Sequence, residues 1–132
     1  MSPAQADSLA LLLFKPDGSI NAATVGKSAS ILADMAGFTV PPSTRILIAR
    51  LNSVGPQEPL SREKLTTVLG WYEAEGWEAG CELCLQLIAF GGRGHSLAIH
   101  AKDQKVIMAF GLEKPVHRIS TGVTHEQSGC HR

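Results

Sequence analysis

The stretch Arg45-Ile46-Leu47-Ile48-Ala49-Arg50-Leu51 decides the fold class of this chain. Five of its seven residues are apolar, and they do not alternate with polar residues. An unbroken apolar run of this length is typical of a strand that is covered on both faces, as strands are in parallel sheets. We therefore predict a parallel strand over residues 45–51, with a covering layer on each face.

The segments around this strand carry helix and strand signals in turn. Ser2 and Pro3 are typical of a helix start, and the turn residues Pro16, Asp17 and Gly18 end that helix. Alternation of strands and helices beyond the first strand indicates right-handed crossovers and a parallel sheet. The predicted helices are residues 3–15, 24 or 28 to 36, 77–90 and 103–110, and the further strands are 68–74, 96–101 and 117–121. The fold class is therefore α/β, with a small, mostly parallel sheet flanked by helices.

Length and charge restrict the class of protein. A chain of 132 residues makes one domain of ordinary size, and 44% hydrophobic with 5% aromatic residues predicts an aliphatic core. Twelve basic residues balance twelve acidic ones, so no net charge attracts nucleic acid or an anionic membrane. Three cysteines cannot all pair, and no apolar run reaches the roughly 20 residues that span a bilayer. We expect a cytoplasmic protein that binds neither nucleic acid nor membrane.

Two glycine motifs match parts of nucleotide-binding patterns. Gly26-Lys27-Ser28 matches the end of a phosphate-binding loop, but the pattern needs a glycine where this chain has Asn21. The run Gly91-Gly92-Arg93-Gly94 would need a strand before it and a helix after it to bind a dinucleotide, and the predicted order is the reverse. We therefore interpret the first motif as a helix start with Ser28 as a possible cap, and the second as a helix-to-strand turn.

Cysteine spacing raises the possibility of a metal site. Cys81 and Cys84 form a Cys-x-x-Cys motif, and Cys130 with His131 would complete a four-ligand zinc set. Both members of the motif fall on the apolar face of a predicted helix, where a cysteine behaves as a small hydrophobic residue. Zinc binding is therefore the weaker interpretation of these residues.

Isolated polar residues give no complete catalytic group. Glu58, Glu63 and Glu73 have no partner visible in the sequence, and surface charge is the default interpretation of each. His95 lies at the entrance of a predicted strand, where ligand groups converge in many α/β folds. A structural histidine is the better interpretation from the local pattern alone.

Four short blocks occur in one order along the chain and together carry a family resemblance. The blocks are Val25-Gly26-Lys27-Ser28-Ala29 with Met35-Ala36-Gly37, Pro59-Leu60-Ser61-Arg62-Glu63-Lys64-Leu65, Phe90-Gly91-Gly92-Arg93-Gly94-His95-Ser96, and Phe110-Gly111. On these blocks the chain resembles the CoA-acylating aldehyde dehydrogenases. That family includes the aldehyde half of bifunctional aldehyde–alcohol dehydrogenases and the sulfoacetaldehyde and succinate-semialdehyde enzymes. The resemblance runs from about residue 2 to 129 and concerns part of the family's catalytic domain.

The resemblance implies oxidation of an aldehyde to an acyl-CoA, with NAD or NADP as cofactor and CoA as co-substrate. In the family a cysteine thiolate attacks the aldehyde, the cofactor takes the hydride, and CoA releases the acyl group. By the same resemblance Glu63 would bind the nicotinamide ribose hydroxyls, Leu65 would pack beside the nicotinamide, and His95 would lie near the acyl or CoA site.

The chain also departs from the family pattern. The family's cofactor-binding domain and nucleophilic cysteine lie upstream of the matched part, and none of Cys81, Cys84 or Cys130 falls on the nucleophile's position. Thr66-Thr67 stands where the family has Ser-Pro, and Gly122-Val123-Thr124 stands where it has Asn-Thr-Pro. We therefore assign no catalytic residue and no metal ligand, and we expect a partial catalytic domain over residues 1–132 that is not catalytic alone.

Three interpretations of function stay open. The chain is a fragment or split subunit of an acylating aldehyde dehydrogenase that another chain completes, or it is a truncated relative that serves as a non-catalytic binding or assembly module. A small zinc protein is the third and weakest. A truncated chain would lack one covering layer of the strand over 45–51, and its exposed apolar face would then favour self-association or binding of a missing companion half.

Overall fold

The computed structural model describes residues 1–113, 116 and 118–121, and the chain divides into two compact units, Met1–Ala74 and Glu75–Arg132. The first unit contains α1 (Pro3–Leu13), α2 (Ala29–Met35), β1 (Leu47–Arg50) and β2 (Val68–Trp71), with 3-10 turns at Ala22–Thr24 and Pro59–Ser61. The second contains α3 (Gly76–Leu87), a π turn at Ile88–Gly92, β3 (Ser96–Ile99), α4 (Gln104–Glu113) and β4 (Arg118–Thr121).

Each unit contains a small parallel sheet. In the first, β1 pairs with β2 and places Leu47 beside Val68. In the second, β3 pairs with β4 and places Ser96 beside Arg118. The predicted α/β class, with small parallel sheets and flanking helices, is confirmed. His117, which the sequence places at the start of the last strand, lies outside the described residues.

The first helix begins where its capping residues predict. The Ser2 hydroxyl accepts a hydrogen bond from the Gln5 backbone N–H at 3.2 Å, and the Gln5 side chain accepts one from the Ser2 N–H at 2.8 Å. This reciprocal pair satisfies two donors that a helix start leaves without partners, and Pro3 needs none there. The helix ends at Leu13, two residues before the predicted end at Lys15.

The core of the first unit is aliphatic, as the low aromatic content predicts. Helix α1 places Leu9 and Leu13 on one face, four residues apart, and both are fully buried. Helix α1 contacts α2 and β1, so these elements enclose one apolar cluster. The buried members of the cluster are Leu9, Leu13, Ala29, Leu32, Ala33, Leu47, Ala49, Leu51, Leu60 and Val68.

Of the two covering layers predicted for residues 45–51, the described residues supply one, which agrees with the expectation that a truncated chain lacks the other. Leu47 and Ala49 point into the core, whereas Ile46 and Ile48 are 50% and 45% exposed. Within the described residues, α1 packs against the core side of β1, and the opposite side chains remain accessible to solvent. Sequence pattern reports that both faces are apolar, but not whether the same chain covers both.

Candidate functional site

The residues assigned to the nicotinamide lie on the segment between the 3-10 turn at Pro59–Ser61 and β2. Within this segment, the Lys64 ammonium donates to the backbone oxygen of Leu60 and, at 2.9 Å, to that of Arg62. Because one ammonium binds both carbonyls, it fixes the course of the backbone that leads to Glu63. Lys64 was missed at the sequence level, because nothing in the pattern distinguishes a lysine that binds carbonyls from a solvated one.

The environment of Lys64 favours a structural role. Burial lowers the pKa of its side chain below the ordinary 10.5, and the negative charge of Glu58 opposes part of that effect. Hydrogen bonds to two carbonyls compensate for lost water. The half-buried Lys64 ammonium therefore stabilises the segment that carries Glu63.

Hydrogen bonds bring two of the family blocks together. The Gly26 N–H donates to the Leu65 carbonyl at 3.3 Å, and the Thr67 hydroxyl donates to the Lys27 carbonyl at 3.3 Å. Gly26 has φ +71°, a backbone conformation that side chains other than glycine rarely adopt. The start of α2 thus supports the Glu63 segment from a position about 40 residues away in sequence.

Glu63 and Leu65 both have exposed side chains on this segment, with Leu65 59% exposed. A carboxylate carries two acceptor oxygens, which suits it to a pair of neighbouring hydroxyl groups. An accessible leucine two positions on can lie against a flat ring. The local chemistry is therefore compatible with a nucleoside.

A groove of about 520 Å³ lies next to this segment and is lined by Lys15, Asp17, Gly18, Pro59 and Arg62, among others. A Cβ at Gly18 would come within 3.1 Å of the Arg62 guanidinium, so glycine permits this close approach. The Asp17 carboxylate accepts from the Ser19 N–H and hydroxyl at 2.9 and 2.6 Å, and these bonds lower its pKa. Asp17 therefore serves the turn that borders the groove.

His95 belongs to the second unit, whereas Glu63 and Leu65 belong to the first. It is exposed and directly precedes β3, as predicted. The glycine run before it begins within the π turn that follows α3 and leads into β3, which confirms the helix-to-strand order and rules out the dinucleotide fingerprint there. The role of His95 near an acyl or CoA site stays a prediction.

The Gly26-Lys27-Ser28 motif is a helix start, as interpreted from the sequence. The Ser28 hydroxyl accepts from the Ile31 N–H at 3.4 Å and caps α2. The element before the motif is the 3-10 turn at Ala22–Thr24, whereas a phosphate-binding loop follows a strand.

The cysteine pair lies on α3, with Cys81 buried and Cys84 half-buried. Among the described residues, no three His, Cys, Asp or Glu side chains are grouped so that they could hold a metal ion. Cys130 and His131 lie outside the described residues, so the four-ligand zinc set is untested.

Glu73 has a partner in the structure that the sequence did not reveal. Its carboxylate pairs with Arg50 at 2.7 Å, and both side chains are more than half exposed. A surface pair of this kind contributes at most about 1 kcal/mol to stability. Its surface position agrees with the default interpretation of the acidic residues.

In the part of the chain that the structure describes, there is no helix with the length and apolar character needed to cross a bilayer.

Comparison with solved structures places the fold in a class, the aldehyde dehydrogenase type of parallel α/β protein. A probable aldehyde dehydrogenase from Listeria monocytogenes has the same fold with a TM-score of 0.87 and 44% identity over 92% of this chain. An acetylating aldehyde dehydrogenase from Geobacillus thermoglucosidasius has a TM-score of 0.86 and 37% identity over the same share. In sequence, the chain is 46% identical over 92 residues, 70% of its length, to an aldehyde-alcohol dehydrogenase of Streptococcus pneumoniae.

Over most of its length the chain is similar to one part of the acylating aldehyde dehydrogenases, and the resemblance seen in the sequence is confirmed. No family model matches it. The chain spans 10% of the S. pneumoniae relative, and 27% and 26% of the Listeria and Geobacillus structures.

Proposed function

We propose that the chain is a partial catalytic domain of an NAD(P)-dependent acylating aldehyde dehydrogenase, and that it supplies the nicotinamide-ribose contact to a site that another polypeptide completes. The observation that carries this proposal is the accessible pair Glu63 and Leu65, on a segment that Lys64 and Gly26 hold in place. The family's sequence block covers the same segment. The nucleophile and the adenine-binding part would come from the companion.

The chain's own residues would contribute binding and orientation. The two oxygens of Glu63 would accept hydrogen bonds from the two ribose hydroxyls, and Leu65 would shield one side of the nicotinamide from water. NAD(P), when bound, supplies the hydride acceptor for oxidation of the aldehyde to the acyl-CoA. Since hydride transfer depends on orientation of the ring, a fixed Glu63 backbone favours the productive geometry.

The isolated chain tests the first half of this proposal. We expect no aldehyde oxidation in the presence of acetaldehyde, CoA and NAD, and weak or undetectable NAD binding by calorimetry. Neither the attacking thiolate nor the adenine contacts belong to this chain under the proposal. Aldehyde oxidation by the isolated chain would contradict it.

The second half of the proposal, completion of the site by another polypeptide, is tested by combining the chain with a companion. This companion is the Geobacillus enzyme from which the matching segment has been removed. We expect recovery of CoA-dependent aldehyde oxidation. Glu63→Gln should raise the KM for NAD about tenfold, the effect of losing a good charged hydrogen bond, and leave the KM for CoA unchanged. Glu82→Gln, an exposed change on α3, is the matched control and should alter neither.

An assembly module is the second candidate function, and the half-exposed apolar face of β1 favours it. A complex with the companion that forms without any oxidation of acetaldehyde, propionaldehyde or succinate semialdehyde would support this function over the catalytic one.

A further inference from the structure

The first sheet has an apolar outer face. Ile48 and Leu69 are register partners on neighbouring strands, so their side chains lie side by side. Ile46 directly precedes β1 and lies two residues before Ile48, and Trp71 lies two residues beyond Leu69 on β2. We call these four side chains, Ile46, Ile48, Leu69 and Trp71, the open face; each is 45% to 54% exposed.

The second sheet shows that an apolar outer face is not general in this chain. On β3 and β4 the accessible side chains of one face are Ser96, Ala98, Arg118 and Ser120. Small and polar residues of this kind are suited to water. Since one sheet follows the usual division between an apolar and a polar face, the apolar character of the open face requires its own explanation.

A polar group borders the open face at the end of the strands. Arg50, the register partner of Trp71, pairs with Glu73 at 2.7 Å. The Trp71 indole N–H donates to the same carboxylate at 3.4 Å. An aliphatic and aromatic centre with an Arg-containing rim is the composition of a protein interface. The Arg50–Glu73 pair at the rim carries no net charge, so we expect the open face to bind an apolar surface rather than a charged one.

Parallel sheets indicate what covers such a face. They are stable in proteins when helices cover both faces, and among the described residues α1 packs on the inner face. The open face exposes roughly 400 Å² of apolar side chain, against the ~800 Å² per partner of a standard specific interface, so any partner must also make contacts beyond this face. A second copy would place sheet on sheet instead of supplying the helical cover. A helical layer is the better fit.

The relatives indicate where the helical layer comes from. The Geobacillus enzyme shares this fold, and the chain covers 26% of it, so about three quarters of that fold is supplied by other residues. We propose that the open face binds an amphipathic helical layer of a companion polypeptide that carries the remainder of the catalytic domain. This inference rests on the proposed function and adds the surface through which the companion is held.

Co-expression of the full chain with the truncated Geobacillus companion tests the surface. The wild-type chain should co-purify with it, and the emission of Trp71 should shift to shorter wavelength as its indole leaves water; Trp71→Phe should remove that shift. Leu69→Lys should weaken the complex at least tenfold. Leu11→Lys, the same change at an exposed site on α1, should leave it unaltered. Ile48→Thr keeps a β-branched strand former and should weaken the complex if Leu69→Lys fails to fold.

Each alternative outcome overturns the proposal. These outcomes are no co-purification with the wild-type chain, equal binding by the Leu69 and Leu11 variants, or a stable dimer of the chain that Leu69→Lys dissociates. Activity separates this proposal from the proposed function. Recovered aldehyde oxidation that is insensitive to the open-face variants rejects the surface and keeps the function, whereas a sensitive complex without oxidation rejects the function and keeps the surface.

Discussion

Lys64 is a cation placed against the backbone, where its ammonium contacts the carbonyls of Leu60 and Arg62. Burial lowers its pKa in the folded chain, whereas the unfolded chain has the ordinary value near 10.5. The unfolded chain therefore holds this proton more tightly than the folded one. Stability gained from this group must rise with pH in the alkaline range below 10.5.

Replacement of Lys64 by methionine tests this linkage. We expect Lys64→Met to lower the free energy of unfolding by about 1–2 kcal/mol at pH 7, because two carbonyls lose a charged donor. The deficit should widen at pH 9.5, since only the wild-type chain gains stability as the pH rises toward 10.5. Urea unfolding at both pH values measures it. A Lys64 deficit that shrinks with pH would refute the assignment.

Only some residues of the candidate site could be predicted from the sequence. Ser28 was interpreted as a cap, and its hydroxyl binds the Ile31 N–H, because capping involves neighbours in sequence. Glu63 and Leu65 came from the family resemblance, and their binding role stays a prediction. The contacts that hold them, from Lys64 and from Gly26, join backbone atoms whose approach depends on the folded chain.

The glycine in β2 shows how the packing of the core constrains the residues of a strand. Gly70 lies within the strand, and a Cβ at this position would be 2.9 Å from Cδ1 of the buried Leu51. A glycine within a strand ordinarily weakens the strand. The structure gives it a positive role, because its missing side chain leaves room for a core leucine.

Two alanine substitutions at glycines should therefore have opposite effects. Gly70→Ala should lower the free energy of unfolding by about 1 kcal/mol, since Leu51 must repack. Gly111→Ala, in α4 with no atom within 4 Å of the new Cβ, should raise helix stability by up to about 1 kcal/mol. Thermal unfolding measures both. Stabilisation by Gly70→Ala would show that Leu51 is less constrained than its burial indicates.

Helix starts and ends were predicted better than the covering of strands. Gly37, at φ +84°, follows α2, and the bond from the Phe38 N–H to the Ala33 carbonyl closes that helix end. Such signals are contained within a few residues. Covering of Ile46 and Ile48 depends on distant parts of a protein, and apolar pattern alone does not report it.

Burial differs between the two units of the molecule. Ten apolar side chains form the buried cluster of the first unit. Among the described residues of the second, the buried apolar side chains are Cys81, Ile88 and Ile99. Since resistance to local opening follows the buried apolar contacts, the first unit must be the more stable part of the chain.

Hydrogen exchange followed by mass spectrometry tests this difference. Amides of α1, β1 and β2 should exchange at least tenfold more slowly than those of α3, β3 and α4. Leu32→Ala leaves a cavity in the first unit and should reduce its stability by about 2–5 kcal/mol, with exchange in α3 little changed. Uniform protection across the chain, or equal acceleration of both units, would contradict the prediction.

The bond between Gly26 and Leu65 has a consequence for the order of folding during synthesis. Its two residues, and the lysine that fixes the Glu63 turn, all precede residue 74, where the first unit ends. Domains fold as units, with the N-terminal part first on the ribosome. The nascent chain can therefore complete the segment that carries Glu63 while the second unit is still being translated.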